Sequence, residues 1–118
     1  MVPTRNSLTN YLPYAGIVSG LATVGSSPTV TLLPGVSSAD DACVSITRGG
    51  VGVYTIVVTN FRGPNGVAVG SANSTLSGVL IAASTGSYTN STMSMQFGSM
   101  LHDGTYSDSN FTFTIKAT

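Results

Sequence analysis

The chain has 118 residues, and only 7% of them are charged, four Lys/Arg against four Asp and no Glu, where a soluble domain carries about a quarter. The four basic residues, Arg5, Arg48, Arg62 and Lys116, are scattered and the formal net charge is zero, which excludes the electrostatic footprint of a nucleic-acid or anionic-membrane binder. Positive mean hydropathy excludes disorder, and the length suits one domain with a real core.

In chain order, residues 1–27 read as an extended N-terminal arm leading into a first strand. The run YLPYAGIVSGLATV is apolar and uncharged, and Pro13, Gly16 and Gly20 break any helical template. An apolar arm left in water is unfavourable. Tyr11, Leu12, Tyr14, Ile17 and Val18 are therefore expected to pack on a neighbouring subunit, a scaffold or the arm's own domain. The opening residues lack a continuous apolar core, so no secretory leader is expected, and no run is long enough for a membrane helix.

Residues 28–118 read as short strands between turns. Strands are expected at 29–33 and 42–47, with a turn at Arg48-Gly49-Gly50. Residues 51–59, VGVYTIVVT, are apolar on both faces, which predicts a central strand covered on both sides. Asn60 to Gly66 is a Gly-Pro and Asn-Gly loop. Strands at 67–70, 75–83 and 92–97 follow, then a polar loop over 100–110. In the last strand, Phe111, Phe113 and Ile115 alternate with Thr112, Thr114 and Lys116, so the apolar three share one face. About eight short strands without a helix predict an all-β, antiparallel β-sandwich, with the jelly roll as the expected winding.

No constellation points to catalysis. His102 is the single histidine, and His102-Asp103-Gly104 reads as a solvated turn; a serine triad is recognised by geometry, and no G-x-S-x-G elbow is present. Asp40-Asp41 and Asp103/Asp108 supply too few carboxylates for calcium at loop spacing and read as turn formers. Neither a metal nor a cofactor is expected. Cys43, the single cysteine, cannot form an internal disulfide and is expected as a small buried hydrophobe on a strand. Tyr54 is expected in the core. Tyr88 and Tyr106 fall in expected loops and are the candidates for exposed recognition residues.

Two segments carry a resemblance. SITRGGVGVYTIVVTNF resembles the strand pair of small β-sandwich modules of bacteriophage virions, and HDGTYSDSNFTFTIKAT resembles their terminal loop and strand. The layout is also similar to trimeric jelly-roll heads of the C1q/tumour-necrosis-factor type. The resemblance implies core roles for Tyr54, Phe111, Phe113 and Ile115. It implies a capsid decoration (cement) protein, a homotrimer bound to the major capsid protein on the virion surface and made in the host cytoplasm. The alternative it implies is a receptor- or glycan-binding tip of a tail fibre or spike. Neither reading involves an enzyme, nucleic acid or a membrane.

Overall fold

A computed structural model of the protein describes residues 16–25, 27–33, 43–61 and 65–118. Among these the structure is all-β and antiparallel. The nine strands are β1 (Ile17–Thr23), β2 (Thr29–Leu32), β3 (Val44–Gly50), β4 (Val53–Thr59), β5 (Val67–Ser74), β6 (Val79–Ala83), β7 (Gly86–Thr89), β8 (Thr92–Leu101) and β9 (Phe111–Ala117). Hydrogen bonding runs β2-β1-β9-β5-β7-β8-β4-β3, with β6 also paired to β8.

This one sheet folds back on itself into two layers. β1, β9 and β5 form one, β8 and β4 the other. Rings cross between them: Phe97 of β8 lies 5.4 Å from Phe111 and 6.0 Å from Phe113 of β9, and Tyr54 of β4 lies 5.6 Å from Phe111. The sandwich differs from two separate sheets in one respect, because β7 pairs with both β5 and β8 and joins the layers. At the other end β2 and β3 lie side by side, so the sheet nearly closes. β4 pairs with β8 in one layer, and their successors β5 and β9 pair in the other. The two crossovers thus wrap together, as in a jelly roll.

Period-2 alternation fills the space between the layers. Val18 and Ala22 of β1, Tyr54, Ile56 and Val58 of β4, Met93, Met95 and Phe97 of β8, and Phe111, Phe113 and Ile115 of β9 all point inward and are buried. Each fully buried side chain of this size is worth about 1.5–3 kcal/mol relative to exposure. Glycine makes room for the methionines. A Cβ at Gly70 would collide with the Met95 sulfur, and one at Gly86 would lie 2.9 Å from Met95 Cε.

Several expected boundaries move. Arg48, Gly49 and Gly50 finish β3, with a register shift between Arg48 and Gly50. The turn falls instead at Val51-Gly52, where Gly52 takes φ +69°. β5 and β8 extend past the expected ends, while residues 75–78 are turn and leave β6 shorter. β7 was hidden because its turn to β8 is Asn90-Ser91, both at positive φ in place of the usual Asn-Gly. β4 is central, flanked by β3 and β8, but Val53, Thr55 and Val57 are only half-buried on its outer face. That face is not covered within the described chain. Cys43 is half-buried and precedes β3 rather than lying within a strand.

Candidate functional site

The loop after β8, residues 102–110, is held against the β3–β4 hairpin by one carboxylate. Asp108 accepts from Arg48 Nη2 at 2.7 Å and Nε at 3.3 Å, from the Gly52 amide at 2.8 Å, and from the Tyr54 hydroxyl. Arg48 first, then Tyr54 and Gly52, hold the Asp108 carboxyl well below the usual carboxylate range. Burial, and then the bond to Asp108, push the Tyr54 hydroxyl up to about 12. Asp108 is thus an ion-paired clamp rather than the local turn former expected from the sequence. Gly52 seats the other side: the Ser99 amide donates to its carbonyl at 2.7 Å and the Ser107 amide donates to the Ser99 carbonyl at 3.0 Å.

The clamp sets Tyr106 on the outside of the second layer. Tyr106 bridges Met100 on β8, where β4 has already ended. Strand register then stacks outward-facing residues in rows. Leu80, Met100 and Tyr106 form one row; Ala82, Gly98 and Val53 form the next. Between them opens a groove of about 310 Å³ whose lining includes Val53, Ala82, Gln96, Gly98, Met100 and Tyr106. Leu80 is 65% exposed, Val51 54% and Tyr106 52%. Strand alternation normally gives such a face to polar side chains. Here it is apolar at the loop end and becomes polar toward Ser94 and Ser45.

The expected site residues separate. Tyr106 is exposed at the groove. Tyr88 is not on a loop: it lies on β7, half-buried, with its ring edge-on to Phe61 at 5.3 Å and its hydroxyl buried. Ile17 is exposed at the start of β1, whereas Val18 is fully buried in the core and has no surface to offer a partner. Tyr11, Leu12 and Tyr14 lie outside the described residues, as do Asp40 and Asp41. His102 and Asp103 sit exposed in the tight turn at Gly104, where Asp103 Oδ1 accepts from the Thr105 amide at 2.9 Å. Among the described residues no three His, Cys, Asp or Glu side chains gather into a metal-binding group, and no helix is long and apolar enough to cross a membrane.

The groove carried a sequence signal that alternation alone passes over. VLIAA (Val79–Ala83) is apolar at every position, so both its faces are apolar. In β8, Met93, Met95 and Phe97 hold the inward phase, yet Met100 breaks it toward the outside. Comparison with known proteins found no matching family model, no matching curated protein and no matching solved structure.

Proposed function

We propose that this protein is a structural assembly module, a capsid decoration protein that binds the outside of a viral shell as a homotrimer and stabilises it without covalent chemistry. The observation that carries the reading is the apolar groove and its rim on an otherwise nearly uncharged surface. Of the four charged residues described, Arg48 and Asp108 neutralise each other, leaving Asp103 and Lys116. A surface so poor in charge is weakly protected against association, and an exposed apolar patch marks an interaction site. The jelly-roll winding and the resemblance to virion modules specify the kind of assembly; the partner is the major capsid protein. The arm before β1, including Tyr11, Leu12 and Tyr14, and the exposed Ile17 contact the shell or a neighbouring subunit.

The test is co-expression with the major capsid protein of the same virus. The protein is expected to co-sediment with assembled shells and to raise the temperature at which they disrupt. Absence from the shell fraction at saturating protein would remove the reading.

The exposed Tyr106 ring beside the groove favours one alternative, a receptor- or glycan-binding tip, since aromatic faces suit sugar rings as well as apolar partners. That reading predicts hits on a glycan array that disappear in Tyr106→Ala. Under the assembly reading the array is blank.

A further inference from the structure

We propose that the apolar groove is the receptor for the N-terminal arm of a second copy of this chain, filled by Tyr11-Leu12-Pro13-Tyr14. The inference rests on the assembly reading and specifies which contact makes the oligomer.

The argument is one of reach. The described chain begins at Gly16, whose carbonyl accepts from the Ala117 amide at the far end of β9; β1 then pairs Ile17 with Lys116. The groove lies outside Phe97, which stacks on Phe111 and packs on Phe113 near the start of β9. Four to six residues of strand separate the two levels, about 13–20 Å. The groove also opens on the outer face of the opposite layer, about 10 Å of sheet spacing further away. An extended chain covers at most about 3.6 Å per residue. Tyr14, two residues before Gly16, reaches about 7 Å; Tyr11, five residues before, reaches about 18 Å and would have to travel around the sandwich. Neither reaches the groove of its own chain. A neighbouring copy presents the same groove with no such limit.

Chemistry matches on both sides. The arm segment is apolar and uncharged, with two tyrosines and a leucine around a proline that favours extended backbone. The groove offers aliphatic and thioether walls from Val53, Ala82 and Met100, with the Tyr106 ring at its rim. Its open end is lined by the side-chain amide of Gln96, available to a tyrosine hydroxyl. Each copy gives an arm and receives one, so the contact is heterologous and closes into a ring when the rotation allows.

The test fills the floor of the groove. A Cβ at Gly98 would meet Met100 and Tyr106 at 3.6 Å, ordinary contact, so Gly98→Val blocks the groove from a strand position that tolerates it. Particle mass by light scattering is read for the full chain, for Gly98→Val, for Tyr11→Ser/Tyr14→Ser, and for a chain lacking residues 1–14. The unaltered chain is expected to be oligomeric and all three variants monomeric, with unchanged melting in the double-Ser variant. A second measurement uses Tyr14→Cys with Ala82→Cys in a Cys43→Ser background, mixing heavy-isotope and ordinary chains under oxidation. Disulfides linking heavy to light chains are expected, at least ten times more abundant than intrachain ones. An oligomer that persists in all three variants, or a crosslink confined to single chains, overturns arm exchange while leaving the assembly reading intact. A monomeric unaltered chain overturns both.

Discussion

Asp108 concentrates what single residues contribute. Four donors converge on it from β3, β4 and the turn between them, so one carboxylate fixes the loop that carries Tyr106. The sequence offers Arg48 and Asp108 sixty positions apart, and nothing local says they meet; only the crossover from β8 to β9 brings them together. The carboxyl is held below its ordinary range by Arg48, Tyr54 and Gly52. Its stabilisation is present above the unfolded-state value of about 4 and is lost as pH falls below that toward the depressed folded value. Tyr54 works at the other end: its raised value means that stability is retained below about 10 and is lost as pH rises from there through about 12. Tyr54→Phe should therefore flatten the alkaline loss in a pH series of thermal melts and cost about 1 kcal/mol at neutral pH by removing one hydrogen bond. Alkaline melting identical in variant and parent would reject this assignment. Gly52 is the stricter residue. A Cβ there would run into the Ser99 carbonyl and approach Ser107 N to 3.0 Å, at φ +69°. Gly52→Ala is expected to cost about 3 kcal/mol or more, read as a denaturant midpoint shift with unchanged slope.

At the scale of elements, alternation made much of the fold legible. Phe111, Phe113 and Ile115 take the inward face their spacing predicts, and β4 stands between two partners as its composition predicts. What alternation could not show was which layer each strand joins, because inward and outward phases look alike in both. β7 stayed hidden for a local reason, a two-residue turn made by Asn90 and Ser91 at positive φ. β1 belongs to the sheet rather than to an arm: it sits between β2 and β9, with Val18 and Ala22 buried. Truncation through residue 27 would thus remove a strand from the interior of a layer and expose its neighbours, whereas truncation through residue 14 leaves the strand order intact. The packing of β5 on β8 depends on a missing side chain. Gly70→Ala should lower stability by about 1–3 kcal/mol, the cost of overpacking against Met95. A melting temperature equal to that of the parent would show that Met95 has room to move aside.

For the whole molecule, the central claim is that the chain works by association. Its surface is nearly uncharged, its apolar groove lies on a face that alternation normally makes polar, and the loop beside that groove is clamped by the one ion pair among the described residues. The low charge content read from composition and the exposed rows on β6 and β8 point the same way from independent observations. The site itself was only partly legible: Tyr106 stood out as an exposed aromatic, while Val53, Ala82, Gly98 and Met100 became a site only when strand register placed them side by side. The most direct test is the absolute mass of the purified full chain by light scattering across a hundredfold range of concentration. The account predicts a stable trimer, about 36 kDa from three chains of 12.0 kDa. A monomer of 12.0 kDa at every concentration would contradict it.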